Sequence, residues 1–203
     1  MLESPFCDIT SLFSHTHLEH FGPIFVIILM LFPTRVAIAV RAAATPRAKF
    51  ATGKWYEAAR YPNSIEEGGN CGWADYSLTG DTFSVKNYDV SKGKLRSVEG
   101  SARLADDART TGKLIFTDGA ITKSTLWVLG TDYDNYAVLY YCKFDEETKT
   151  RQDFNWVFSR SKSFVAVAKA AVDQILKDNT FLDSTKLIWP DFSDEACRSN
   201  VAQ

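Results

Sequence analysis

Hydrophobic and polar residues alternate with a period of two along most of the chain after residue 53. The same alternation runs through FSVKNYDV, TKSTLWVLG and QDFNWVFSRS, with turn residues about every ten positions. The segment NYAVLYYCKF divides its side chains between two faces, Tyr136, Val138, Tyr140 and Cys142 on one and Ala137, Leu139 and Tyr141 on the other. Period two with regular turn signals predicts an antiparallel sheet.

One segment, SKSFVAVAKAAVDQILKDN, has helical periodicity instead. Its apolar residues recur at helical spacing: Val165, Ala168, Val172, Ile175 and Leu176. Ser161 or Ser163 is predicted to cap the start of this helix, and Lys177 suits its C-terminal end. A single apolar stripe is typical of a helix that packs against the outside of a sheet.

Several predicted strands are apolar on both faces, whereas a sheet with one wet face shows polar residues on every second position. A closed barrel satisfies this pattern, with the helix over part of the outer face and a cavity inside. Closure also removes exposed sheet edges. The sequence therefore predicts an all-β barrel with one external helix.

The composition fits one domain. The chain has 203 residues, of which 45% are hydrophobic and 13% aromatic, enough for one substantial core. The formal charge of −2 and the lack of a long basic run argue against nucleic-acid binding, which needs clustered Lys and Arg.

The first fifty residues differ from the rest. The apolar run IFVIILMLF, residues 24–32, precedes small-residue sites that allow cleavage after Ala39 or Ala44. We therefore predict that residues 1–44 are a secretory leader that is removed, and that residues 45–203 form a single secreted domain.

Two alternatives to the leader remain. A membrane anchor needs about 20 apolar residues, and this run is about half as long and is followed by Arg35 and Arg41. No stable membrane span is therefore expected. Translation from Met30 would remove most of the apolar run.

Histidine is confined to the predicted leader, at His15, His17 and His20. The domain after it lacks the usual general base and the commonest zinc ligand. We therefore expect no metal site and no catalytic residues in the domain.

The chain has four cysteines: Cys7, Cys71, Cys142 and Cys197. An even number in a secreted chain is typical of a disulfide framework. Removal of residues 1–44 takes Cys7 away, so that one of the other three thiols is free or paired outside the chain.

Three motifs stand in order along the chain: GKW at Gly53–Trp55, TDY at Thr131–Tyr133, and Arg160 in FSRSK. They resemble the three conserved regions of the lipocalin family. The strings WYEAARYPNS, CGWADY, NYAVLYYCKFDEETK, QDFNWVFSRSK and DFSDEAC resemble the insect bilin-binding members, the insecticyanin type. The resemblance runs from Gly53 to Cys197.

This resemblance implies an eight-stranded antiparallel up-and-down barrel, a C-terminal helix packed outside, and a small hydrophobic ligand within. It implies that Gly53 lets the chain enter the first strand closely, that Trp55 closes one end, and that Arg160 lies across its ring. The TDY residues, Thr131, Asp132 and Tyr133, are expected to shape a loop at the same end as scaffold.

The resemblance also implies a Cys71–Cys197 disulfide that ties the C-terminal tail to the barrel. Cys142 matches a cysteine whose partner, in the relatives, lies just before the Gly-x-Trp motif. This chain has ATPRAKFAT there, without a cysteine, which leaves Cys7 as the candidate partner.

By the same resemblance, candidate ligand contacts are inward positions near the open end: Glu57, Asn63, Ile65, Asn87, Asp89, Val98, Tyr141, Gln152, Phe154 and Trp156. Asn87, Tyr141 and Trp156 are favoured because they combine inward parity with a hydrogen-bond donor or a flat ring. A bilin is planar, largely apolar and bears two propionates, so aromatic walls and donors at the rim suit it. Asp89 is expected to repel a nearby propionate unless it is protonated.

The leading hypothesis is a secreted carrier that binds a biliverdin-type bilin. The alternative is a carrier of other lipids, such as a retinoid, a fatty acid or a sterol, which resembles apolipoprotein D. An enzyme acting through a barrel cysteine is disfavoured, since Cys142 is predicted to point outward and no histidine can activate it. A protein-binding role and a homo-oligomer both stay open.

Overall fold

The computed structural model describes residues 7, 9, 51–108, 111–118 and 124–199. Eight strands run along the chain: β1 (Gly53–Arg60), β2 (Gly69–Thr79), β3 (Thr82–Ser91), β4 (Lys94–Leu104), β5 (Lys113–Asp118), β6 (Ser124–Thr131), β7 (Tyr136–Asp145) and β8 (Thr150–Ser159). Helix α1 (Ala166–Asp178) and a 3-10 turn (Ser184–Lys186) follow. The apolar run, its cleavage sites and His15, His17 and His20 lie outside the described residues.

The strands form a closed barrel. Each strand pairs antiparallel with the next one, and β8 returns to pair with β1. This confirms the predicted eight-stranded antiparallel barrel, in which closure leaves no strand of the described chain at a sheet edge.

The two faces of β7 pack into two different clusters. Ala137 and Leu139 point inward and pack with Trp55, whereas Val138 and Tyr140 point outward and pack beneath the helix. The outer cluster explains why the strands are apolar on both faces, since helix and tail cover one side.

Helix α1 buries Ala168, Val172 and Leu176 on the barrel, and Ile175 packs beside them. Four of the five residues of the predicted stripe therefore face the sheet. Val165 does not: its side chain is 44% exposed, because it precedes the first turn.

The predicted serine cap of this helix is wrong. Val165 is the N-cap residue, with extended backbone and no side-chain cap. Ser161 and Ser163 come too early in the chain, and the Ser161 hydroxyl instead accepts a hydrogen bond from the Ser163 N–H. Lys177 lies in the last turn, as predicted, where a cation suits the helix dipole.

The closed end of the barrel is built around Trp55, which is only 4% exposed. The guanidinium of Arg160 lies over its ring and donates hydrogen bonds to the backbone carbonyls of Lys54 and Tyr133. Gly53 has a φ of 90°, and a methyl group there would lie 3.5 Å from the Arg160 guanidinium. The predicted arrangement, with Arg160 over the Trp55 ring and Gly53 beside it, is present, and its role as scaffold stays a prediction.

The loop after β6 is held by Thr131 and Asp132. Thr131 Oγ1 donates to the Tyr136 carbonyl, and Asp132 Oδ1 accepts from the N–H groups of Asp134, Asn135 and Tyr136. Burial on its own would raise the pKa of Asp132, but these hydrogen bonds lower it overall. These contacts hold the loop at the closed end of the barrel, and its role as scaffold stays a prediction.

Two disulfides join distant parts of the chain. Cys71–Cys197 forms as the resemblance implied, and Cys142 pairs with Cys7. Cys7 and Ile9 are both buried, and Ile9 belongs to the outer cluster beneath the helix. Each cross-link is expected to contribute about 4–5 kcal/mol by the chain-entropy estimate for loops of this length.

Neither a membrane helix nor a metal cluster occurs in the part of the chain that the structure describes. Its helices are too short or too polar to cross a bilayer. Within the same residues, His, Cys, Asp and Glu side chains form no group of three or more that could hold a metal ion.

Candidate ligand-binding site

A cavity of about 640 Å³ occupies the barrel and opens at the end opposite Trp55. We call this open end the mouth; the 61–68 loop, the turn between β3 and β4 and the turn between β7 and β8 border it. Its volume lies within the range of roughly 300–1,000 Å³ typical of small-molecule sites. The barrel is therefore hollow toward the mouth and packed solid toward Trp55.

All ten predicted ligand positions line this cavity. They are Glu57, Asn63, Ile65, Asn87, Asp89, Val98, Tyr141, Gln152, Phe154 and Trp156. Eight of them, all implied by the family resemblance, lie on strands, and the 61–68 loop carries Asn63 and Ile65. Their contact with a ligand stays a prediction.

Three aromatic side chains form one flat wall of the cavity, which we call the aromatic wall. Tyr141 and Phe154 are cross-strand neighbours whose rings stack at 5.2 Å, with 27° between their planes. Phe154 and Trp156 stack at 5.8 Å and 15°. The wall offers a continuous π face to whatever occupies the cavity.

The 61–68 loop is tied to this wall through Glu66. Trp156 Nε1 donates to Glu66 Oε2 at 3.1 Å, and Asn63 Nδ2 donates to the same oxygen. Asn63 Oδ1 in turn accepts from the N–H groups of Ile65 and Glu66, which folds the loop into a turn. The loop at the mouth and the indole of Trp156 are thus held as a unit.

A buried ion pair borders the cavity, with Glu57 in the cavity lining. Glu57 is 6% exposed and Arg60 4%, and Arg60 Nη1 donates to Glu57 Oε1. Arg60 Nη2 donates to the carbonyls of Glu66 and Gly69, at 2.9 Å each. Burial and the neighbouring Glu66 charge hold the pKa of Glu57 well above its ordinary value, although Arg60 acts against them.

Near the mouth, Asp89 is directly opposite Arg96 in the pairing of β3 with β4. The guanidinium of Arg96 holds both carboxylate oxygens of Asp89. This corrects the expectation that Asp89 repels a ligand carboxylate, because its charge is neutralised. Lys143 adds a positive charge on the exposed end of β7.

Tyr76 lies where the cavity meets the packed end, with its ring edge-on to Phe83 at 6.4 Å. Burial raises the pKa of Tyr76 to about 12, so that its hydroxyl stays neutral. Among the described residues, this hydroxyl has no hydrogen-bond partner.

The sequence reasoning missed the remaining lining residues: Ser64, Glu66, Trp73, Tyr76, Tyr88, Arg96, Ser97, Phe116, Ser124, Leu126, Leu139, Lys143 and Phe158. Inward parity with Tyr141 could have identified Leu139, and hairpin register with Asp89 could have identified Arg96. Glu66 carries no periodic signal, because it lies in a loop.

Comparison with known proteins identifies the family. The family model described as "Lipocalin / cytosolic fatty-acid binding protein family" matches residues 52–190. The chain is a lipocalin. The match covers the whole barrel and the helix.

This lipocalin is similar to two insect proteins along most of its domain. Bilin-binding protein from Pieris brassicae is 46% identical over 151 residues, which cover 73% of this chain and 79% of the relative. Insecticyanin-A from Manduca sexta is 37% identical over 152 residues, covering 72% and 80%. Apolipoprotein D from Macaca fascicularis is 28% identical over 144 residues, covering 68% and 73%.

Solved structures agree with this placement. Insecticyanin from the tobacco hornworm Manduca sexta superposes with a TM-score of 0.69 at 34% identity, over 75% of this chain and 84% of that one. Lobster apocrustacyanin A1 superposes with a TM-score of 0.66 at 25% identity, over 77% and 85%.

Family membership places the chain among binding proteins rather than enzymes. The chemistry of Cys142 agrees, because its sulfur is in a disulfide with Cys7 outside the barrel and offers no thiolate. The prediction that the chain is not an enzyme is confirmed at the level of the family.

Proposed function

We propose that this lipocalin carries a bilin, a linear tetrapyrrole of the biliverdin type, in its barrel cavity. The aromatic wall of Tyr141, Phe154 and Trp156 is the observation that supports this ligand most strongly. The similarity to the bilin-binding protein of Pieris brassicae, at 46% identity, supports the same class.

The shape of the wall suits an extended conjugated ligand. Its neighbouring ring planes are within 27° of each other, so a planar ligand can stack on more than one ring at once. An aliphatic chain gains burial on such a surface but no stacking energy, which is worth about 0.5–1.5 kcal/mol per aromatic pair. The wall therefore favours a flat ligand over a fatty acid.

The charges near the mouth suit the two propionates. Lys143 is a cation at this end, Arg96 is paired with Asp89, and Asn63 lies on the loop at the mouth. Because Asp89 is neutralised by Arg96, a carboxylate near Lys143 meets no uncompensated negative charge from that residue. We place the propionates at the mouth and the rings against the aromatic wall.

We also propose that the protein is secreted, with residues 1–44 as its leader and residues 45–203 as the mature domain. Two disulfides are typical of proteins that fold in an oxidising compartment. The Cys7–Cys142 bond belongs to the full-length chain, before the leader is removed.

A titration of the full-length protein with biliverdin tests the proposed ligand. We expect saturation at one equivalent, with quenching of tryptophan fluorescence and a change in the visible band of the pigment. A fluorescent fatty acid and a retinoid serve as comparison ligands. If the fatty acid or the retinoid binds and biliverdin does not, the hypothesis of a bilin carrier is wrong and that of a lipid carrier takes its place.

A further inference from the structure

The buried carboxylate of Glu57 is an unusual feature of a cavity that is mostly apolar. Glu57 lies on β1 opposite Phe158 of β8, and both side chains line the cavity. A carboxylate with 6% exposure needs partners, because burial of an unpaired charge is costly.

Two carboxylates, those of Glu57 and Glu66, compete for the few hydrogen-bond donors near them. Glu57 and Glu66 share one guanidinium, that of Arg60, which also serves the backbone carbonyls of Glu66 and Gly69. Glu66 has two further donors, Trp156 and Asn63. Among the described residues, Arg60 is the N–H donor to Glu57, on Oε1, and the carboxyl group of Glu66 is its other hydrogen-bond neighbour, which provides a donor only when one of the two acids is protonated.

The charges around Glu57 can be counted element by element. Arg60 on β1 and Glu66 on the 61–68 loop are the charged groups that act on it, while Gly72 on β2 and Phe158 on β8 are neutral. Two carboxylates and one guanidinium leave this region with one excess negative charge when both acids are ionised.

Gly72 leaves the space that the carboxylate occupies. A methyl group on Gly72 would lie 3.1 Å from Glu57 Cβ and 3.2 Å from Oε1, closer than ordinary van der Waals contact. The backbone of β2 therefore confines the Glu57 side chain, which lines the cavity.

We propose that Glu57 accepts hydrogen bonds from N–H groups of the bound ligand, and that this acceptor selects N–H-bearing ligands over carboxylate-headed ones. The inference rests on the proposed function for the identity of the natural ligand, since the pyrrole and lactam groups of a bilin are N–H donors. A site built to hydrogen-bond a ligand group discriminates strongly against an analogue that lacks it.

The same acceptor orients the ligand. A carboxylate placed near Glu57 and Glu66 meets like charge in a poorly solvated region, whereas an N–H edge supplies a donor. The central N–H groups of a bilin therefore turn toward β1, and its acidic groups stay at the mouth. Hydrogen bonds from the ligand stabilise the ionised form of Glu57 and so oppose the rise of its pKa on burial.

Glu57→Gln tests this role, because it keeps the size of the side chain and an oxygen that Arg60 can reach. The matched control is Glu99→Gln, which removes a carboxylate on the exposed side of β4 that pairs with Lys86. We expect E57Q to weaken biliverdin binding about 10- to 100-fold, as for loss of a charge-assisted hydrogen bond. Affinity for a fluorescent fatty acid should stay equal or rise, and E99Q should match the wild type for both ligands. An equal change for both ligands, or no change for biliverdin, would overturn the inference.

A second measurement on the wild-type protein does not depend on folding of the variant. A dipyrrinone, which has pyrrole and lactam N–H groups, is compared with its N-methylated derivative. We expect the N–H form to bind at least ten times more tightly. Equal affinities with intact biliverdin binding would refute the role of Glu57 but leave the proposed function standing. If the N–H form binds more tightly but biliverdin does not bind, the proposed function would be refuted and the role of Glu57 would stand.

Discussion

The guanidinium carbon of Arg160 lies 3.6 Å from the centre of the Trp55 ring. From this position, Arg160 reaches the backbone carbonyls of Lys54 in β1 and Tyr133 in the loop after β6. One side chain thus joins the beginning of the barrel to its end and seals the side away from the ligand. Cation–π attraction and two charged hydrogen bonds act together here.

Arg160→Met is expected to lower the free energy of unfolding by about 2–4 kcal/mol, since it removes the cation–π contact and both hydrogen bonds. Urea denaturation of the ligand-free protein measures the change. Lys162→Met, at an exposed position nearby, is the control and should change stability little. Equal stability of the two variants would show that the contact over Trp55 is unimportant.

The barrel, its external helix and the closed end could be predicted from the sequence because their signals are local or carried by motifs. Alternation shows which residues share a face of a strand, and the resemblance to a family indicated that Tyr141, Phe154 and Trp156 face the cavity, which they line. The resemblance to a family supplied the strand count and the Cys71–Cys197 pair.

The ionic contacts of the cavity were not predictable in the same way. The Asp89–Arg96 pair depends on the register between β3 and β4, and the contact between Glu66 and Trp156 spans 90 residues. Neither register nor loop conformation follows from periodicity. The serine cap was mispredicted for a related reason, because the chain stays extended through Val165 before the helix begins.

Trp156→Ala removes one ring of the aromatic wall and the donor to Glu66. We expect biliverdin affinity to fall roughly 5- to 30-fold, as for the loss of about 1–2 kcal/mol of stacking and burial. Absorbance titration measures this change. The control is Trp189→Ala, which removes an indole that is 52% exposed and outside the cavity, and it should bind normally. Unchanged affinity in W156A would exclude the aromatic wall as the binding surface.

The raised pKa of Glu57 makes stability depend on pH. Because the folded state holds this proton more tightly than the unfolded state, Glu57 contributes stability that is full below its unfolded value, about 4.5, and is lost as pH rises through its folded value. The Glu57→Gln variant has no ionisable group at this position, so it does not lose this stability as pH rises. Urea denaturation from pH 4 to pH 8 should therefore show E57Q gaining stability relative to the wild type as pH increases. A constant difference across this range would contradict the raised pKa.

The cysteines of the full-length chain should all resist alkylation after oxidative refolding. A non-reducing digest should give two cross-linked peptides, one with Cys7 and Cys142 and one with Cys71 and Cys197. A chain expressed without residues 1–44 lacks Cys7 from the start, so it should carry one free thiol, that of Cys142. Labelling of Cys71 or Cys197 in either form would contradict the pairing.

The central claim, that the barrel carries a bilin, is tested most directly on protein purified from its natural source. Its visible absorption spectrum and its intact mass under native conditions should be recorded on the same sample. The account predicts a blue or blue-green protein with one bilin per chain, which is released on denaturation. A colourless protein that carries a retinoid, a fatty acid or a sterol would contradict it.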